Sequence, residues 1–202
     1  MKFVLNNDEN SFNSQAIKNT EEVIENINKY VGEEHILSHL IIDNQEVYNN
    51  MESYIDKYFH RIDTIQIITK TTVQFINDTF ITAEEYISNA LPQLEKLIDQ
   101  FYNNPTAADW HHFKQFTDGL QWLSDMLVNI DTLKERPTNW QVYVSVYHEL
   151  EGQVHELAEG VENQDHTLIA DVINFEIKPL YERLKHLITN TIDSEGSRPN
   201  AN

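Results

Sequence analysis

Apolar residues recur three and then four positions apart from Val73 to Phe101: Val73, Ile76, Phe80, Ala83, Ile87, Ala90, Leu94, Leu97, Phe101. On a helix these positions form one stripe, so the pattern predicts a long helix made to pack against others. Three more stripes follow. The second is Phe113, Phe116, Leu120, Leu123, Leu127, Ile130, and the third is Trp140, Tyr143, Tyr147, Leu150, Val154, Leu157, Val161. The fourth is Ile169, Ile173, Ile177, Leu180, Leu184, Leu187. Asn103 to Pro105, Arg136-Pro137 and the turn Gly160 to Asp165 separate them. Thr106 with Asp109 reads as a capping box, and Thr138 as the next cap. Pro92 lacks an amide hydrogen inside the first helix, at a cost of about 3 kcal/mol if the helix stays straight. A kink near Ser88 to Pro92, or a break there, is expected, and Pro179 should bend the last helix. Short connections between long helices predict an antiparallel four-helix bundle over residues 72–192. Residues 193–202 read as a flexible tail.

The pattern before residue 72 is different. Lys2 to Asn6 is a short apolar run and reads as a strand, and Asn7 to Asn13 reads as a turn. Ser14 is placed to cap a helix carrying Ile17, Ile24, Ile27 and Val31, with Gly32 at its end. Ile36 to Asp43 reads as a strand, Asp43-Asn44 as a turn, and Gln45 to Tyr48 as a returning strand. Asn49 and Glu52 resemble a capping box for a helix with Met51, Tyr54, Ile55, Tyr58, Phe59 and Ile62 on one face. Thr64 to Thr71 is β-branched and reads as a strand. Strand, helix, strand, strand, helix, strand is the ferredoxin-like order. The expected fold class is α+β, mainly α: a βαββαβ unit over residues 1–71, joined rigidly and without a linker to the bundle.

Composition narrows the chemistry. Five Gly and five Pro in 202 residues suit long regular elements. A net charge of −19 repels phosphate backbones and anionic membranes, so neither nucleic acid nor membrane is expected as a partner, while a basic protein surface would be attracted. The chain has no cysteine, which excludes disulfides, thiolate metal sites and cysteine nucleophiles. No stretch resembles a signal peptide or a membrane span, so the expected setting is cytoplasmic.

Candidate chemistry is sparse. The segment HELEGQVHELAEGV offers His148, Glu151 and His155 as metal ligands on a helix. Each histidine directly follows a stripe position, so both are expected on the outer face. His35 and His39 would share one face of a strand, roughly 13 Å apart. His111 and His112 diverge on a helix and lack the HExxH glutamate. Phosphate-loop, dinucleotide and hydrolase-elbow signatures are absent. Catalytic, metal and cofactor residues are therefore expected to be none.

Five large apolar residues fall off the stripes: Phe75, Trp122, Val128, Val142 and Val144. They need a neighbouring helix, a twin subunit or another protein to cover them. Trp122 is the first candidate for a partner contact, because tryptophan is enriched at interface hot spots. The residues thus favour a non-enzymatic, acidic protein-interaction module such as an adaptor, regulator or chaperone. The alternatives are a metal-binding or enzymatic bundle using His148, Glu151 and His155, and a protein whose spare face only makes a homodimer.

Overall fold

The computed structural model describes residues 1–6, 12–13, 17–32 and 35–198. The protein is α+β and mainly helical, and it divides into two compact units, Met1–Phe75 and Ile76–Asn202.

The first unit is built on a five-stranded mixed sheet. Its strands are β1 (Lys2–Leu5), β2 (Phe12–Asn13), β3 (His35–Ile42), β4 (Gln45–Val47) and β5 (Thr64–Thr71), in the order β2-β1-β5-β3-β4. Helix α1 (Thr20–Val31) joins β2 to β3, and α2 (Met51–Tyr58) with a 3-10 turn (Phe59–Arg61) joins β4 to β5. The β3–β4 turn holds Asp43 and Asn44 at φ 48° and 69°. A two-residue hairpin turn with both φ values positive favours such short polar residues, as the sequence implied. Asp43 also accepts the backbone N–H of Thr64 at 2.8 Å, which ties the turn to the start of β5.

The ferredoxin-like expectation needs correcting. β3 is antiparallel to both β4 and β5, so β4–α2–β5 is a split βαβ with β3 between its parallel strands. The first half does not match, because β1 lies beside β5 and parallel to it. β5 therefore sits between β1 and β3, which run antiparallel to each other. The eight β-branched and polar residues TIQIITKT are long enough to pair with β1 on one edge and β3 on the other, which puts β5 at the centre of the sheet. Phe12 and Asn13, expected in a turn, pair with β1. A bulge at Ser38 shifts the register between Leu37 and His39. It breaks the alternation that would have put His35 and His39 on one face, and His39 stacks on Tyr48 instead, with ring centroids 4.6 Å apart.

Val23 and Ile27 of α1 and Ile55 of α2 share one core with Phe3, Leu40 and Ile65. Asn19 caps α1 by accepting the N–H of Glu22 at 2.9 Å. Ser14, the expected cap, lies outside the described residues. Gly32 closes α1 at φ 67°, where a side chain would be strained. At α2 the expected Asn49–Glu52 box is replaced by Asn50 in the left-handed region, with no side-chain cap bond.

Four helical stretches follow β5: α3 (Thr72–Tyr102), α4 (Ala107–Asp131), α5 (Trp140–Glu162), and a last one made of α6 (His166–Asp171), a π-helical segment (Val172–Ile177) and α7 (Lys178–Glu195). α3 runs unbroken through Pro92. Pro179 lies two residues beyond the end of the π segment. A proline clashes with the carbonyl four residues back, and the wider π turn relieves that crowding. Thr106 and Asp109 form the expected capping box at α4. Thr138 is not a cap, since α5 starts at Trp140 and Thr138 is bonded to the Glu195 carboxylate. The last helix continues through Glu195, beyond the expected start of the tail, and Arg198 pairs with Glu84 at 2.7 Å and Asp193 at 2.9 Å.

The stripes of α3 and α4 are buried with two departures. Val73 is 54% exposed and Ala90 is half-buried. The α5 stripe needs a larger correction. Its buried residues are Trp140, Tyr143, Val146, Leu150, Leu157 and Gly160. Tyr147 is half-buried, while Val154 and Val161 are 43% and 38% exposed. Both rows obey 3-4 spacing and share four residues, so periodicity alone cannot choose between them. Tertiary contact decides. A Cβ on Gly160 would lie 2.8 Å from Ile169 Cγ1, so only a glycine lets α5 approach α6 this closely. Tyr147 donates to Glu151 at 2.6 Å, which keeps its hydroxyl on the outer side.

Candidate functional site

The 3.6-residue period sorts the surface of α4 into rows. His112, Gln115, Gly119 and Trp122 face α3, because Tyr86 of α3 packs on both Gly119 and Trp122. Phe113, Phe116, Leu120, Leu123 and Leu127 point inward and are buried. Thr117, Gln121 and Ser124 face α5, with Val128 one turn further along the same row.

The α5-facing row borders a groove of about 360 Å³. Phe113, Leu120 and Leu157 form its floor, and Val154, Ala158 and Val161 form its α5 wall. Leaving a valine about 40% exposed forfeits on the order of 0.5–1 kcal/mol of burial. The row of Val154 continues toward the N-terminus of α5 through Glu151, Tyr147 and Val144 by the same 3-4 spacing. One carboxylate lines the groove and two more lie near it. Glu151 accepts from Tyr147, Glu162 lines the groove, and Asp125 of α4 is close enough to help raise the Tyr147 hydroxyl pKa, after the larger effects of the Glu151 hydrogen bond and burial.

The five apolar residues singled out in the sequence are not one patch. Val128 and Val144 lie beyond the α4/α5 groove, in the helical rows that its α4 and α5 walls continue. Trp122, 37% exposed, belongs to the other flank and meets the Tyr86 ring edge-on at 5.5 Å. Val142 is exposed on the opposite side of α5, in the row of Ser145 and Glu149, where Glu149 pairs with Arg183 of α7 at 2.9 Å. Phe75 is half-buried near the start of α3. Sequence reasoning missed Val154 and Val161, which it had assigned to the core. The signal that could have exposed them is Gly160 beside Val161, a small residue placed where two helices approach closely.

A family model described as "Domain of unknown function (DUF8042)" matches residues 78–187. The chain belongs to this family. The DUF8042 region contains both flanks of α4 in full, including every residue that lines the groove. No curated protein and no solved structure matches the chain.

The histidines of α5 lie on its outer face. His148 Nδ1 is 3.4 Å from a Glu151 oxygen, and Glu151 is held below its ordinary pKa first by the Tyr147 hydrogen bond and then by His148 and the charge of His155. Among the described residues no group of three or more His, Asp or Glu side chains is arranged to hold a metal ion. Among the described residues no helix is long and apolar enough to cross a membrane.

Among the described residues two buried side-chain oxygens lack a hydrogen-bond partner, Gln153 Oε1 and the Tyr181 hydroxyl. Tyr181 is fully buried, and its hydroxyl lacks a hydrogen-bond partner of good geometry. Burial first, and then the neighbouring Tyr86 hydroxyl, push its pKa well above the ordinary tyrosine value.

Proposed function

We propose that this protein is a cytosolic, non-enzymatic protein-interaction module whose partner lays a basic amphipathic helix into the groove between α4 and α5. One observation carries the reading: Val154 and Val161 stand open to solvent above an apolar floor of Phe113, Leu120 and Leu157. A groove of this kind suits helix-in-groove recognition, in which apolar anchors fill the floor. The net charge of −19, with Glu162 lining the groove and Glu151 and Asp125 near Tyr147 beyond it, favours a helix whose flanks carry lysine or arginine.

The same reading takes residues 1–71 as a separate α+β unit and residues 72–192 as an antiparallel four-helix bundle. Bonds between opposite helix ends support the bundle: Asn77 with Ser197, and Glu84 with Arg198, join the start of α3 to the end of α7.

The test is retention of lysate proteins on the immobilised chain, with cross-linking to locate the bound surface. The expected result is one protein cross-linked along α4 and α5, released by raised salt, and lost with Val154→Asp plus Val161→Asp. It should survive Val142→Asp. Retention that survives both valine changes overturns the groove, and so does a second copy of this chain as the only species bound. Stoichiometric metal on the same sample with no retained protein also contradicts the reading.

A further inference from the structure

The α3 flank of α4 holds a separate cavity of about 400 Å³, within the size range of small-molecule sites. Its floor is apolar: Leu94, Leu97 and Phe116 are buried, and Ala90 is half-buried. Its rim is polar but carries no acid. Asn89, Gln93 and Gln100 of α3 and Gln115 of α4 bring four carboxamides. Lys96 supplies a positive charge, and His112 adds an imidazole able to donate an N–H. No Asp or Glu lines the cavity, although the chain has 33 of them among 202 residues.

Lys96 differs from the paired cations of this unit. Lys114, Arg136, Lys178, Arg183 and Arg198 each pair with a carboxylate within 3 Å. Among the described residues Lys96 has no such pair. The carboxylate near His112 is that of Asp109, and it is already engaged by the backbone and hydroxyl of Thr106 at 2.7 Å. At the cavity's end Tyr86 lies on the bare backbone of Gly119, where even a Cβ would come within 1.6 Å of its hydroxyl.

We propose that this cavity binds a small organic anion. An aromatic or aliphatic body lies on Ala90, Leu94, Leu97 and Phe116, and a carboxylate or sulfonate head meets Lys96 and His112. The carboxamides donate N–H groups to the ligand's remaining oxygens and, being neutral, do not repel an anion. In a chain of net charge −19, an unpaired lysine beside an acid-free apolar cavity is where such a ligand escapes the general repulsion. The site is separate from the α4/α5 groove and does not depend on what binds there.

The probe pair is 8-anilinonaphthalene-1-sulfonate and its uncharged relative N-phenyl-1-naphthylamine, each titrated into the intact chain and followed by fluorescence. The sulfonate should bind saturably at one site per chain. Lys96→Glu should weaken it at least about tenfold, while Lys96→Arg stays near wild type. The uncharged probe should change little with either substitution, which separates charge recognition from a collapsed cavity. Val161→Asp should leave both probes unaffected. The proposal is overturned if the sulfonate does not saturate, if Lys96→Glu leaves it unchanged, if both probes weaken together, or if Val161→Asp removes it.

Discussion

Helix α4 has a cleft on each side, about 400 Å³ toward α3 and about 360 Å³ toward α5, and the two differ in chemistry rather than size. Toward α3 the rim is amide and basic, with an unpaired lysine. Toward α5 the wall is valine and alanine, with one carboxylate, Glu162. One helix serves both because residues about 100° apart around its axis face different neighbours. The consecutive residues Gly119, Leu120 and Gln121 show this at close range: they meet Tyr86, the core and the α5 groove in turn. A substitution on α4 or its neighbours should therefore disturb one flank and spare the other.

The largest effect is expected from Gly119→Ala. The new methyl would collide with the Tyr86 hydroxyl, and Tyr86 would have to leave its place. The overpacking should outweigh the gain in helix propensity and cost about 1–2 kcal/mol net, read as a lower melting temperature. Trp122 emission should shift with it, because its ring partner moves. Next comes the valine pair. Val154→Asp with Val161→Asp should weaken partner binding at least about tenfold while stability falls by only about 1 kcal/mol. A loss of binding accompanied by general unfolding would blur the distinction between the flanks.

Gly152→Ala is the control on the α5 side. Nothing lies within 4 Å of its would-be Cβ, so the exposed helix interior should gain about 0.5–1 kcal/mol in chemical denaturation. The smallest effect concerns neither flank. Glu84 is held below the ordinary carboxylate range, first by its hydrogen bond to Arg198 and with help from Thr189. A depressed folded-state pKa means that this stabilisation is present above the unfolded value and is lost as pH falls through the folded value. Glu84→Gln should cost about 0.5 kcal/mol at neutral pH, and the difference should vanish below that acid range. Both pockets should be unaffected.

Much of the helical pattern was legible. The stripes of α3 and α4 are core almost throughout, because a run of 3-4 spacing leaves little choice of face. The α5 stripe was ambiguous, since two rows share Trp140, Tyr143, Leu150 and Leu157. The choice between them depends on Gly160 meeting Ile169, a contact that lies outside the helix's own pattern. The β3–β4 hairpin was also legible, because Asp43-Asn44 is local turn chemistry. The strand order was not, because it depends on β5 pairing with β1 across some sixty residues. Of the residues proposed for partner contact, Val128 and Val144 were visible as apolar residues off the stripe. Val154 and Val161 were hidden within it. The acid-free cavity had only a faint trace, Asn89, Gln93 and Gln100 at spacings of four and seven on one face. It becomes meaningful only when α4 brings His112, Gln115 and Phe116 opposite.

The most direct test of two chemically distinct flanks is methyl NMR of the intact chain during titration with 8-anilinonaphthalene-1-sulfonate. The account predicts that the methyl signals of Ala90, Leu94 and Leu97 move and those of Val154 and Val161 stay fixed. Movement of the valine signals, with the α3 flank unchanged, would contradict it.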